Sequence, residues 1–170
     1  MGVNDRPESE GILKTAKGYS GIQIALHWLI ALGVAFNYVF SDGMGDALDQ
    51  RLAGKAFTVG IAPWHVYVGI AVLVLVLLRV VIRLTRGGPA AESGLQGKAA
   101  SAMHGVLYLL LLAVPLAGAL TWYRGIDALG EPHVLMANVV LILAGLHAVM
   151  ALFHHYVLKD GLLRRMMRPE

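Results

Sequence analysis

The chain has 170 residues, of which 57% are hydrophobic and 15% are charged, and its mean hydropathy is +0.65. A soluble domain averages about 25% charged residues, so this composition predicts an integral membrane protein. The absence of cysteine excludes disulfides, thiolate-bound zinc, cysteine-ligated iron–sulfur clusters and covalently attached c-type haem. The net charge of +3 fits membrane topology better than nucleic-acid binding, so no nucleic-acid partner is expected.

Four stretches contain no Asp, Glu, Lys or Arg, and each is longer than the roughly 20 helical residues that cross a bilayer. They run from Gly18 to Ser41, Ala56 to Leu78, Ala99 to Tyr123 and Pro132 to Leu158. Lipid cannot satisfy backbone polar groups, so each stretch must be helical. The sequence predicts an all-α bundle of four transmembrane helices. The chain is divided into an N-terminal segment (1–17), the transmembrane domain (18–158) and a basic tail (159–170).

Lys and Arg are distributed unevenly between the two sides of this bundle. Eleven lie in the N-terminal segment, in the connection between the second and third helices and in the tail, and three lie in the remaining connections: Arg51, Lys55 and Arg124. The positive-inside rule then predicts that both termini are cytoplasmic. Gly87, Gly88 and Pro89 are expected to end the second helix.

All seven histidines lie inside the uncharged stretches: His27, His65, His104, His133, His147, His154 and His155. Ionisable groups in membrane helices are costly and usually mark a functional site. For any single histidine, a hydrogen bond between helices is the alternative explanation. Their mutual placement therefore has to decide between the two interpretations.

His133 and His147 are 14 residues apart, which places them near one face of the last helix and about 21 Å apart along it. His65 follows Pro63 and Trp64 at the outer end of the second helix, level with His133. His27 lies about 20 Å below the outer surface, level with His147. The sequence therefore predicts two His–His pairs at two depths of one bundle.

Two imidazoles from facing helices can hold a haem iron from both sides. The residue one turn after each of the four is small: Ala31, Gly69, Ala137 and Ala151. Arg79 and Arg83 share the face of His65 at the cytoplasmic end, where a guanidinium could pair with a haem propionate. Arg79 is the better candidate, because Arg83 is equally well explained by snorkelling to lipid headgroups.

His154 and His155 are the competing ligands. His154 shares the face of His147 and could replace it, but would lie about 10 Å nearer the cytoplasm. His104, at the cytoplasmic start of the third helix, is left without a partner at its level, so a polar or interfacial role is favoured for it.

The chain resembles the bacterial cytochrome b-561 family from about Tyr19 to Met166. The resemblance lies in QIALHW (Gln23 to Trp28), Trp64-His65 with Arg79 and Arg83, LYLLLLAVPLAG (Leu107 to Gly118), and His133 through His147 to HHYVLKDGLLRRM (His154 to Met166). It implies two non-covalent b haems, the inner one on His27 and His147 and the outer one on His65 and His133. It also implies quinone-linked electron transfer in the bacterial inner membrane, and family members include enzymes that oxidise superoxide and reduce ubiquinone.

Three functional classes remain open from the sequence. The first is a self-contained quinone-linked oxidoreductase of the superoxide oxidase type, which the short loops favour. The second is a haem-bearing subunit that serves a separate dehydrogenase or a periplasmic redox protein. The third, a His-lined metal or proton carrier, is disfavoured because the chain has no H-E-x-x-H motif or Met-rich tract.

Overall fold

The computed structural model describes residues 18–55, 60, 62–87 and 94–169. Six α-helices, a 3₁₀ turn and a π-helical turn make up the described chain. In order they are α1 (Gly21–Val39), α2 (Met44–Leu52), α3 (Ala62–Arg86), α4 (Leu95–Arg124), the 3₁₀ turn (Asp127–Leu129), α5 (Gly130–Phe153), the π-helical turn (His154–Leu158) and α6 (Leu162–Arg165).

The four predicted spans are confirmed as α1, α3, α4 and α5 with its π-helical turn, and among the described residues these are the helices long and apolar enough to cross a membrane. The structure extends α3 eight residues beyond the uncharged stretch, to Arg86. The stretch ends at the first arginine, whereas the helix does not, because Arg is a good helix former whose long side chain can reach the membrane surface.

Local signals set the ends of these helices. Ser20 caps α1, and the side chain of Gln23 accepts a hydrogen bond from the Ser20 N–H in return, which is a capping box. The expected end of α3 is confirmed at Gly87, which has a φ of 71°, a conformation that glycine adopts without strain. Gly88 and Pro89 lie outside the described residues, as does the predicted segment 1–17.

The helices pack in the order α1, α3, α4, α5, with each one against the next. Ile30 of α1 and Val72 and Val76 of α3 form the buried core, against which Tyr108 and neighbouring leucines of α4 pack. In the described chain, α5 approaches α4 closely, whereas its backbone stays farther from α1 and α3. The bundle is therefore tightly packed on one side and more open between α5 and the first two long helices.

The two ends of the described chain lie together. Gly21 at the start of α1 lies next to Pro169, and the Trp28 indole N–H donates to the carbonyl of Met166 at 3.2 Å. We call this the inner end of the bundle, and the opposite end the outer end. The first and last described residues therefore lie at the same end of the bundle.

A short helix that the sequence did not predict, α2, lies at the outer end. Arg51 of α2 donates from Nε to the carbonyl of Trp122 at 2.9 Å, and its guanidinium lies 4.8 Å from the centre of the Trp122 rings. Leu52 lies against Gly125, just beyond α4. These contacts hold the connection between α1 and α3 against the outer end of α4.

Replacing Gly33 by alanine should destabilise the contact between α1 and α3, because the new Cβ would lie 2.6 Å from a methyl group of the buried Val72. The expected loss is about 1–3 kcal/mol, measured by thermal unfolding in detergent. Gly105→Ala is the matched control, since that Cβ would meet no atom within 4 Å. Adding Val72→Ala to Gly33→Ala should restore part of the stability. Equal melting temperatures of Gly33→Ala and Gly105→Ala would contradict this packing.

Candidate haem site

The outer histidine pair joins α3 to α5. His65 lies in the first turn of α3, and His133 lies in the first turn of α5. Their ring centres are 6.2 Å apart, with the ring planes at 73°. The structure thus brings together the two residues that the sequence placed at the same outer depth.

The inner pair joins α1 to α5. The ring centres of His27 and His147 are 6.4 Å apart, and the planes lie at 68°. Because α5 carries both His133 and His147, one helix contributes a member to each pair. All four side chains are half-buried, which keeps the rings inside the bundle but leaves each pair an open side toward lipid.

The separation within each pair fits a shared metal ion. A metal–imidazole bond is about 2.0 Å long and a ring nitrogen lies about 1.1 Å from the ring centre, so two rings on opposite sides of one ion have centres about 6.2 Å apart. The two pairs stand at 6.2 and 6.4 Å. With α5 set back from α1 and α3, the donor set and the open side toward lipid fit a haem at each pair.

His133 is held in place by α4. Its Nδ1 lies 2.8 Å from the main-chain oxygen of Val114, and donation to that oxygen leaves Nε2 free to bind a metal. Gly118 makes this possible, because a Cβ there would lie 2.9 Å from His133 Cε1. The sequence analysis did not identify Gly118, although it lies in the LYLLLLAVPLAG segment.

Gly69, one turn after His65, has a different neighbour from the one that the sequence suggested. A Cβ on Gly69 would lie 3.3 Å from Nδ2 of Asn37. The small residue here therefore admits the Asn37 side chain between α1 and α3. At this position helix packing, and not only room for a cofactor, explains the glycine.

Arg79 points into the inner end of the bundle. Its Nε donates to the Tyr108 hydroxyl at 3.0 Å and its Nη1 donates to the main-chain oxygen of Gln23, so it links α1, α3 and α4. Arg83 is exposed. Both border a polar cavity whose lining residues are Tyr19, Gln23, Arg79, Arg83, His104 and Tyr108.

His104 lies deeper than the sequence analysis placed it. Its ring centre is 5.1 Å from that of His147, and its Nδ1 lies 2.7 Å from the Ala100 oxygen. It is the tenth residue of α4, which begins at Leu95 and so starts four residues before the uncharged stretch. At 5.1 Å the two rings are too close to hold a metal on opposite sides, so His104 is a neighbour of the inner pair.

His154 turns toward the chain's own C-terminal segment. Its Nδ1 contacts the carboxylate of Asp160 across a π-helical turn that ends at Lys159, which has a φ of 54°. The ring that packs against His27 from α5 is that of His147. This geometry favours His147 over His154 as the partner of His27.

Comparison with known proteins places most of the chain in one family. Residues 18–169 match the family described as prokaryotic cytochrome b561.

The chain belongs to the prokaryotic cytochrome b561 family.

Three relatives align over nearly their whole length. Cytochrome b562 of Cereibacter sphaeroides is 47% identical over 153 residues, which cover 89% of this chain and 96% of the relative. The probable superoxide oxidase CybB of Yersinia pestis is 34% identical over 176 residues, with 89% and 96% covered. Cytochrome b561 homolog 1 of Escherichia coli is 35% identical over 173 residues, with 88% and 96% covered.

Family membership and the four spanning helices establish the general character of the protein. It is a multi-pass, haem b-binding electron-transport protein of the bacterial inner membrane. Cytochrome b561 proteins are oxidoreductases, and among the described residues each histidine pair offers two imidazoles of the kind that ligate haem iron.

Gly118→Ala should lower the amount of haem that this cytochrome retains, because the added Cβ would force the His133 ring away from the Val114 carbonyl. Loss of such an orienting contact typically costs about 10- to 100-fold in metal affinity. Haem per chain, measured as the pyridine haemochrome, should fall in Gly118→Ala and stay at the wild-type value in Gly105→Ala. Full haem content in both variants would show that Gly118 does not position His133.

Proposed function

We propose that this cytochrome carries two haems and transfers electrons between the quinone pool of the membrane and a one-electron partner at the periplasmic face, with superoxide as the candidate partner. The observation that carries the proposal is the pair of His–His separations, 6.2 and 6.4 Å, at two depths along one helix. Bound haem supplies reversible one-electron chemistry.

The proposed ligands are His27 and His147 for the inner haem and His65 and His133 for the outer haem. Two imidazoles bound to each iron would leave no position open for oxygen or substrate. The histidines therefore restrict the protein to electron transfer at the haem edge. Since α5 supplies one ligand to each pair, 14 residues apart, the two sites are about 21 Å apart along that helix.

Arg79 is proposed to hold a propionate of the inner haem, with Arg83 as the more exposed second candidate. Its half-buried guanidinium lies at the inner end and already spans three helices through Gln23 and Tyr108. An inward-facing cation of this kind stabilises a carboxylate and also the reduced, less positive form of a nearby haem.

The proposal of a quinone follows from the position of the sites. A lipid-soluble quinone reaches the half-buried sites directly from the bilayer. A nicotinamide donor would need a glycine-rich loop joined to a strand, and no strand occurs among the described residues. Ubiquinone is the proposed quinone, on the strength of the family resemblance.

Superoxide is proposed for the outer side because a relative with 34% identity bears the name of a probable superoxide oxidase. The outer connections carry five acidic and three basic residues, so their net charge does not attract an anion. A local cationic site is therefore required, and Arg51, Lys55 and Arg124 are the candidates. Arg51 docks on Trp122, two residues before Arg124. Gly21 and Pro169 lie together at the inner end, and with the positive-inside rule this supports the proposal that both termini are cytoplasmic.

Single alanine substitutions of the four proposed ligands should remove haem in pairs. His65→Ala and His133→Ala should each abolish the same component of the reduced-minus-oxidised spectrum, and His27→Ala and His147→Ala should abolish the other, because each iron loses one axial bond. His155→Ala, whose ring packs against Tyr156, is the control that should keep both components. If His133→Ala removed the component that His27→Ala removes, the assignment by depth would be wrong.

Arg79→Gln should lower the midpoint potential of the inner haem by about 60 mV, the equivalent of a tenfold change for a one-electron couple, and leave the outer haem unchanged. Tyr108→Phe is the control, because it removes the hydrogen bond to Arg79 but keeps the charge. Spectroelectrochemical titration measures both potentials. Equal shifts of the two haems in Arg79→Gln would contradict a propionate role and leave helix bracing as the explanation.

Stopped-flow mixing of the oxidised cytochrome with superoxide tests the functional proposal. Haem absorbance should show rapid reduction, followed by reoxidation on addition of ubiquinone. Arg124→Gln should slow the reduction by superoxide several-fold, because one steering charge is lost. The substitution should not make the rate of this reduction more dependent on salt concentration. Inertness to both superoxide and quinol, with reduction by a co-purifying dehydrogenase, would contradict the proposal and favour the role of a haem-bearing subunit.

A further inference from the structure

The two members of the outer histidine pair are supported unequally. Nδ1 of His133 has the Val114 carbonyl as its partner. Nδ1 of His65 is buried and forms no hydrogen bond. Among the described residues, one other buried side-chain atom has no hydrogen-bond partner, and it is Oδ1 of Asn37. Buried polar groups nearly always have partners, so two unpaired atoms on neighbouring residues indicate an arrangement completed when the site is loaded.

Asn37 already contacts His65 from the facing helix. Its Nδ2 donates to the main-chain oxygen of His65 at 3.1 Å, and Gly69 provides the space for this amide, since a Cβ there would stand 3.3 Å from Nδ2. The interaction joins residues 28 positions apart. It therefore fixes the outer part of α1 against the first turn of α3, which carries His65.

We infer that Asn37 is a positioning residue for His65, holding its backbone through Nδ2 and supplying Oδ1 as the acceptor for its Nδ1–H when Nε2 binds iron. The inference rests on the proposed outer haem. An acceptor at Nδ1 fixes the tautomer and the ring orientation, and it raises the basicity of the ligand nitrogen. A more basic ligand favours ferric over ferrous iron, so this contact lowers the potential of the outer haem.

Asn37→Leu tests this role, because leucine has a similar volume and no polar atom. We expect Asn37→Leu to raise the midpoint potential of the outer haem by about 59 mV, which corresponds to a tenfold loss of its preference for ferric iron. The potential of the inner haem should not change. Asn138→Leu is the matched control: that asparagine is exposed on α5 and bonds the Tyr38 hydroxyl instead of a histidine. The readouts are spectroelectrochemical titration and the electron paramagnetic resonance signal of the outer ferric haem.

Asn37→Asp covers the case in which the leucine variant does not fold. It keeps the shape of the side chain and loses the Nδ2 donor to the His65 carbonyl, as leucine does, but it offers a stronger acceptor, so the outer potential should fall, opposite to the effect of leucine. An outer haem whose potential and resonance signal match wild type in the folded variants, or a shift shared equally by both haems, would overturn the inference.

His65→Ala separates this inference from the proposed function. If that variant keeps both haems, the ligand assignment fails and the role of Asn37 fails with it. If it loses the outer haem while Asn37→Leu leaves the outer potential unchanged, the dihaem proposal stands and only the role of Asn37 is wrong.

Discussion

The constraint on which the structure depends is the placement of four imidazoles within membrane-spanning helices. A polar ring in hydrocarbon must be hydrogen-bonded, ligated or turned inward, and here each faces another ring across a gap suited to one metal ion. The gap requires α5 to stand away from α1 and α3. The tight packing of α1, α3 and α4 around Val76 supplies the rigid wall that makes this open side possible.

Placing one ligand of each pair on α5 links the two sites mechanically. A shift or rotation of α5 would change both separations together, so the contacts of α5 with α4 affect both sites. The Val114 carbonyl and Gly118 fix the ring of His133 from α4, and Asn37 of α1 bonds the main chain of His65 in the first turn of α3. The outer site is thus held from α1 and α4, and the inner site is braced by Arg79.

Sequence reasoning found the four spans because long apolar stretches leave a helix as the only option in lipid. It placed His27 with His147 and His65 with His133 because helical rise and twist are regular. It missed α2, whose docking depends on Arg51 meeting Trp122, and it placed His104 too near the surface because α4 begins before the charge-free stretch. Gly118 and Asn37 act through contacts between distant segments, which no local pattern reveals. The ligand roles themselves stay predictions.

The central claim is that each histidine pair holds one haem iron through both rings. The most direct test is to count haem per chain in purified protein and record the electron paramagnetic resonance spectrum of its oxidised form. The account predicts two haems per chain, both low-spin, and each with the strong anisotropy that would follow if the histidine ring planes kept their angles of 68° and 73° on binding. One haem per chain, or a high-spin signal in the native protein, would contradict it.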